Sequence, residues 1–115
     1  MKIDEPYLVL IKDSIDQIFS YLKNVDEDSF LGDAILKDAC LTRLIVIGEY
    51  SIKISESTKE KFPEVEWQQM KVARNFYVHT YGQINWKLIW ETIHDYLPTL
   101  KTKIENIISF LEHEE

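Results

Sequence analysis

The residues best suited to chemistry in this sequence of 115 residues lie within one short stretch, residues 74–81. On a helix, Arg74 and His79 would be about 140° apart around the axis and about 7.5 Å apart along it, so they would flank one surface. An imidazole can take or give a proton near neutral pH, and a guanidinium offers a fixed fork of donors to a phosphate. This pair is suited to cutting RNA, with His79 moving a proton and Arg74 stabilising charge on the phosphate.

Polar neighbours extend this candidate catalytic pair. Asn75 is placed to orient the imidazole or to bind a phosphate oxygen, and Lys71, one turn before Arg74, is a candidate phosphate contact. Tyr81, seven residues after Arg74, is predicted on the same helical face. The sequence predicts neither a metal site nor a cofactor. Because one imidazole cannot easily act as base and acid at once, the spacing favours a symmetric homodimer that presents the cluster twice.

A purely structural role for the same residues stays open on spacing alone. Arg74 would then make a surface ion pair, and His79 would simply end its helix, where a cation interacts favourably with the carbonyl dipole. Short motifs arise by chance often enough that spacing does not decide between the two roles.

The charge of the chain limits where a nucleic acid could bind. The formal net charge is -7 and the pI is near 4.9, which argues against a generally basic surface. Residues 1–36 hold 3 basic and 8 acidic side chains, whereas residues 37–79 hold 7 basic and 6 acidic ones. RNA binding is therefore expected to be local to the middle of the chain.

Length and cysteine content indicate one domain, residues 1–115, in a reducing compartment. The single Cys40 excludes an internal disulfide framework and is expected in the core. The first residues lack signal-peptide character, and no apolar run reaches the roughly 18 residues of a spanning helix. We expect a cytoplasmic protein with no membrane partner.

Helical periodicity dominates the chain and predicts an all-α fold, an antiparallel up-and-down bundle of four to five helices. The first helix is predicted over residues 5–24 and the second, central one over residues 30–57, capped by Asp28 or Ser29. A third is predicted over residues 64–80. Asn85 caps a fourth, which ends near Tyr96, and Pro98 lies in the first turn of the last helix.

Two residues of the central helix are predicted to affect the candidate site. Gly48 costs about 1 kcal/mol in a helix relative to Ala, so it indicates close packing of a neighbouring helix. Glu49 is expected either to hold Arg74 or Lys71 in place or to lie on a solvated face. Trp67, Trp86 and Trp90 could stack on bases, although at helical spacing such residues are more often core or interface.

Several segments, in order along the chain, resemble the HepT-like branch of the HEPN superfamily. They are Ile47-Gly48-Glu49, the Pro-Glu-Val-Glu-Trp of residues 63–67, Met70, Arg74-Asn75, His79-Thr80-Tyr81, Ile84-Asn85, Trp90 and Leu97-Pro98. The resemblance implies an all-α domain that dimerises and acts as a metal-independent endoribonuclease, the toxin of a prokaryotic type VII-like toxin–antitoxin pair.

The resemblance also implies a role for each motif residue. Arg74 and His79 would be catalytic, and Asn75 accessory. Tyr81 would be the tyrosine to which a cognate minimal nucleotidyltransferase (MntA-like) antitoxin attaches AMP. A non-catalytic helical module, which docks a nucleotidyltransferase or presents a nucleotide to it, is the alternative function.

Overall fold

A computed structural model describes residues 1–114, and every regular element among them is helical. Glu115, the last residue of the predicted 1–115 domain, lies outside the described residues. Short 3₁₀ turns occur at Lys2–Asp4 and Tyr81–Gln83. The α-helices of the described chain are α1 (Glu5–Tyr21), α2 (Glu27–Leu31), α3 (Ala34–Ile52), α4 (Glu56–Lys61), α5 (Trp67–His79), α6 (Trp86–Asp95) and α7 (Leu97–Glu112).

The longer helices α1, α3, α5, α6 and α7 form the bundle, and the predicted all-α class is confirmed. Their apolar stripes meet in one core, because each helix repeats its apolar residues every three to four positions. Its largest fully buried side chains are Leu8, Ile11, Ile15, Ile18, Phe30, Leu41, Ile93, Leu97, Leu100, Ile104, Ile107 and Leu111. Cys40 is buried as expected, and burial raises the pKa of its thiol to about 11.

Contacts between helix ends show that α7 and α3 both run antiparallel to α1. Lys2 Nζ, just before α1, donates to the carbonyl of Leu111 near the end of α7 at 2.8 Å. At the other end, Lys101 Nζ lies 2.7 Å from Asp16. Next to α3, Ser55 donates to Asp4, which precedes α1.

The predicted continuous helix over residues 30–57 is wrong, because the chain there divides into the end of the short helix α2, the long helix α3 and the start of the short helix α4. Asp33 accepts a hydrogen bond from the Leu36 amide at 3.0 Å and starts α3. Ser55 caps α4 in the same way. Side-chain oxygens that take up free amide groups begin new helices even where the apolar pattern continues.

Several predicted boundaries also shift. The cap of α2 is Asp26, whose carboxylate accepts from the Ser29 amide at 2.9 Å, rather than Asp28 or Ser29. α1 ends at Tyr21, before Asn24 takes up a left-handed conformation with φ of 61°. α5 begins at Trp67 instead of residue 64. The predicted cap at Asn85 is confirmed, since its side chain accepts from the Leu88 amide at 3.1 Å.

Candidate functional site

The helix that carries the candidate residues, α5, packs closely on α3 at Gly48. A Cβ atom added to Gly48 would lie 2.4 Å from Arg74 Cβ and 3.2 Å from the Met70 carbonyl oxygen. No real side chain tolerates such a contact, so glycine at this position allows the two helices to approach. The close packing predicted from Gly48 is what the structure has.

Arg74 pairs with the residue that follows this glycine. Its Nε atom lies 2.9 Å from Glu49 Oε1, and the two side chains are 22% and 45% exposed. The Nε–H group does not point along a hydrogen-bond direction to a carboxylate oxygen, so the attraction is one of charge. Of the two cations that Glu49 was expected to hold in place, Arg74 is the one that it contacts. Lys71 is exposed.

Tyr81 lies beyond the end of α5. The helix ends at His79, and Thr80 leaves helical geometry with φ of -131° and ψ of 34°. Tyr81 therefore begins a 3₁₀ turn, and the prediction that it shares a helical face with Arg74 is wrong. The structure instead directs its hydroxyl to α3, where it donates a hydrogen bond to Asp38 Oδ1.

The surroundings of Tyr81 fix its ring as well as its hydroxyl. The ring packs edge-on against Trp86, with 6.3 Å between the ring centroids, and half of the side chain stays exposed. The hydrogen bond to Asp38 raises the pKa of Tyr81, with smaller contributions from desolvation and the Asp38 charge. Tyr81 is therefore a neutral, accessible phenol at neutral pH.

Asp38 is the site residue that sequence reasoning missed. It precedes Glu49 by eleven residues on α3, a spacing of three turns plus about 20°, so the two residues share one face and lie about 16.5 Å apart along the helix axis. One face of α3 thus contacts Arg74 through Glu49 and Tyr81 through Asp38. The eleven-residue spacing of Asp38 and Glu49 was present in the sequence, but it pointed to a site only once the packing of α5 on α3 was known.

The remaining candidate polar residues lie at the surface of α5. His79 is exposed at its last position, Asn75 is half-buried, and Lys71 is exposed. Lys71 borders a cavity of about 600 Å³ whose lining includes Lys59, Glu56 and Glu66. The cavity beside Lys71 is therefore lined by both basic and acidic groups.

The tryptophans pack mainly in the core or against it. Trp67 is buried, and its indole Nε1 donates to the Phe62 carbonyl at 3.1 Å. Trp86 and Trp90 are half-buried and both pack on Phe30. Of the two roles considered for Trp67, base stacking and core packing, core packing is therefore the one observed.

An apolar surface lies beside the candidate residues. Val72 and Phe76 of α5 and Leu88 of α6 are 57%, 49% and 55% exposed, and they border a groove of about 500 Å³. We call this the α5–α6 apolar face. Large exposed apolar patches on a folded protein mark interaction sites.

Residues 1–114 contain neither a candidate membrane-spanning helix nor a candidate metal site. None of the helices there combines the length and apolar character that crossing a membrane requires. Over the same residues, His, Cys, Asp and Glu side chains form no group of three or more placed to hold a metal ion.

The chain is a small all-helical domain that carries Arg74 and His79 five positions apart on α5. Residues 11–107 match the family described as Ribonuclease HepT-like, from within α1 to within α7. The chain belongs to this family of ribonucleases, and the resemblance found in its sequence is confirmed.

Individual relatives agree with this assignment over nearly their whole length. A Methanocaldococcus jannaschii protein is 30% identical over 99 residues, which cover 86% of this chain and 91% of the relative. A Thermococcus cleftensis HepT is 30% identical over 101 residues, 88% of this chain and 92% of its own. A Caldanaerobacter subterraneus protein is 29% identical over 108 residues, 94% and 96% of the two chains. Each is named as a ribonuclease by provisional assignment. No solved structure matches the chain significantly.

Proposed function

We propose that this chain is a metal-independent endoribonuclease toxin of a prokaryotic type VII-like toxin–antitoxin system, active in the cytoplasm as a homodimer. The observation that carries the proposal is the way in which α3 positions the Arg74 side chain. Gly48 lets α5 approach α3, and Glu49 holds the guanidinium 2.9 Å away at Nε. This charge contact is made at Nε, which leaves the N–H groups at the end of the guanidinium for a phosphate.

His79 supplies the proton transfer in this proposal. It ends α5, one turn and a half beyond Arg74, with its imidazole exposed to a substrate. The imidazole takes the proton of a 2′-hydroxyl, the 2′-oxygen attacks phosphorus, and the bond to the 5′-oxygen breaks. That oxygen receives a proton from the His79 of the second copy, while Arg74 stabilises the charge on the phosphate. Asn75 and Lys71 are accessory contacts.

The α5–α6 apolar face supports the homodimer. Val72 and Phe76 lie on the helix that carries Arg74 and His79, and Phe76 lies one turn before His79, so a second copy docked there would lie beside the His79 imidazole. Two positively charged guanidinium groups in one cleft would also create a local phosphate site on an acidic chain.

The proposed antitoxin is an MntA-like minimal nucleotidyltransferase that attaches AMP to Tyr81. The half-exposed phenol supports this assignment, because the transferred group must reach its oxygen. Bound AMP would add bulk and a phosphate beside the RNA site.

Cleavage of RNA by the purified chain in the presence of a chelator tests the proposal. Arg74→Ala and His79→Ala are each expected to lower the rate by about 100-fold or more, with helical content retained. Arg43→Ala and His113→Ala are matched controls away from the site and should stay within about twofold. Cleavage that persists in both site variants contradicts the proposal.

The same preparation decides the alternative of a non-catalytic module. A chain that binds the nucleotidyltransferase, or receives AMP from it, but never cuts RNA with or without added metal would be such a module. Cleavage that requires added metal would contradict the metal-independent mechanism alone.

A further inference from the structure

The hydrogen bond between Tyr81 and Asp38 joins two parts of the chain that are 43 residues apart. Its acceptor lies on α3, a long helix packed in the bundle, and its donor lies in the turn that follows α5. Neither the resemblance nor the family match assigns a role to Asp38. Both side chains are exposed, so the contact is not needed to fill the core.

We propose that Asp38 is a positioning residue, which holds Tyr81 and thereby the His79 end of α5 against α3, and that an adenylyl group on Tyr81 releases this hold. The inference rests on the proposed function, because it explains how modification of Tyr81 would act on His79. It adds a residue and a physical cause to that function.

The position of His79 makes it dependent on the turn that follows. It is the last residue of α5, where helix ends fray because backbone groups lack partners within the helix. The Thr80 amide still donates to the Phe76 carbonyl at 2.9 Å, and the Gln83 amide donates to Thr80 at 2.8 Å. A hold on Tyr81 therefore restrains the backbone two residues after His79.

Modification removes this hold chemically. In adenylyl transfer the phenolic oxygen of Tyr81 bonds to the α-phosphorus of a nucleoside triphosphate, the bond to the β-phosphate breaks, and pyrophosphate leaves with release of the phenolic proton. The oxygen then has no hydrogen to donate to Asp38. The new phosphodiester also carries a negative charge next to that carboxylate, and like charges at contact distance repel.

A cation near the same ring favours the displaced arrangement. Lys37 holds its Nζ atom 5.2 Å from the centroid of the Trp86 ring, against which Tyr81 packs edge-on. The phosphate of a modified Tyr81 thus has an attractive partner near Trp86 and a repulsive one at Asp38.

A double-mutant cycle on the full, unmodified chain tests the positioning role, with the absence of AMP checked by intact mass. Asp38→Ala and Tyr81→Phe should each lower kcat for RNA cleavage about tenfold with little change in KM, because a displaced catalytic group affects the reaction more than binding. The double variant should lose no more than either single one, since both changes remove one contact.

Two matched variants distinguish loss of the Tyr81–Asp38 hydrogen bond from loss of the Asp38 charge and from a general effect of removing an exposed aspartate. Asp38→Asn should keep activity within about threefold, because its amide oxygen still accepts the phenolic hydrogen. Asp13→Ala removes an exposed aspartate from α1 and should have no effect.

A spectroscopic arm reads the contact without relying on catalysis. The indole N–H resonance of Trp86 should shift in Asp38→Ala and in the wild-type chain adenylylated with ATP by the nucleotidyltransferase. That of Trp67, bonded to the Phe62 carbonyl, should stay in place.

The possible failures are distinguishable. An Asp38→Ala chain that cuts RNA at the wild-type rate, additive losses in the double variant, or an Asp38→Asn chain as impaired as Asp38→Ala would each overturn the positioning role. A wild-type chain that cuts no RNA refutes the proposed function, and an unmoved Trp86 resonance in Asp38→Ala then also refutes the hold on Tyr81. A resonance that moves in Asp38→Ala but not on adenylylation overturns release by AMP.

Discussion

Arg74 of α5 lies with its Cβ atom directly over Gly48 of α3, closer than any larger residue at position 48 would allow. The guanidinium then meets Glu49, the next residue of α3. The close approach of the two helices thus fixes the Cβ end of the Arg74 side chain, and the ion pair with Glu49 fixes its guanidinium.

Replacement of Gly48 by Ala should destabilise the fold. Alanine favours the helix by about 1 kcal/mol over glycine, but its Cβ would force α5 away from α3, and overpacking typically costs about 1–3 kcal/mol. We expect a net loss in the free energy of unfolding, measured by urea denaturation. Gly82→Ala is the matched control, because a Cβ there meets nothing within 4 Å. Equal stability of both variants would contradict the close approach.

Replacement of Glu49 by Gln should lower RNA cleavage more than stability. The ion pair is partly exposed, so its loss should change the free energy of unfolding by less than about 1 kcal/mol. The freed guanidinium keeps its charge but loses its orientation. We therefore expect kcat to fall about tenfold without a rise in KM. Steady-state kinetics on a short RNA measure both constants, and an unchanged kcat would rule out orientation by Glu49.

The α5–α6 apolar face predicts how the proposed dimer will respond to a charge. Phe76→Glu should raise the dimer dissociation constant at least about tenfold, because a carboxylate would be buried without a partner. Ile35→Glu places the same charge on α3, at a side chain that is 84% exposed, and should leave association unchanged. Sedimentation equilibrium distinguishes the two variants. A Phe76→Glu dimer as stable as the wild type would place the interface elsewhere.

Asp4 should stabilise the junction of α1 and α4. Its buried carboxylate accepts from the Ser55 amide at 2.9 Å and hydroxyl at 2.6 Å, and from the Thr58 hydroxyl at 2.5 Å. Asp4→Ala leaves these donors without their acceptor, so we expect a loss of about 2 kcal/mol in the free energy of unfolding. The exposed Asp13→Ala should change stability by less than about 0.5 kcal/mol in the same urea titration.

The same carboxylate predicts an acid dependence. Burial alone would raise the pKa of Asp4, but hydrogen bonds from Ser55 and Thr58 outweigh burial and hold the pKa below its ordinary value of 3.8. The unfolded chain therefore binds a proton first as pH falls, and the stability that Asp4 contributes above about pH 4 is lost below it. The free energy of unfolding of Asp4→Asn should fall less steeply with acid than that of the wild type. Parallel curves would contradict this assignment.

The sequence predicted those parts of the molecule that depend on local pattern. The apolar repeat of α1, the Asn85 cap and the location of Arg74 and His79 on one helix all follow from spacing within a few turns. The division of the region 30–57 was not predicted, because Asp33 and Ser55 interrupt a pattern that apolar residues alone would continue. The Asp38–Tyr81 contact was out of reach, since it depends on how α3 and the turn after α5 align in space.

The eleven residues that separate Asp38 from Glu49 make this part of α3 a segment of fixed length. One residue inserted between them would turn one carboxylate by about 100° relative to the other, so that it could no longer meet its partner while the other did. Only an insertion of about two full turns would bring both carboxylates back to the same face. That insertion would move one of the two contacts by about 10 Å along the helix axis. Related chains with both contacts can therefore differ in loop length, but not in the number of residues between these two positions.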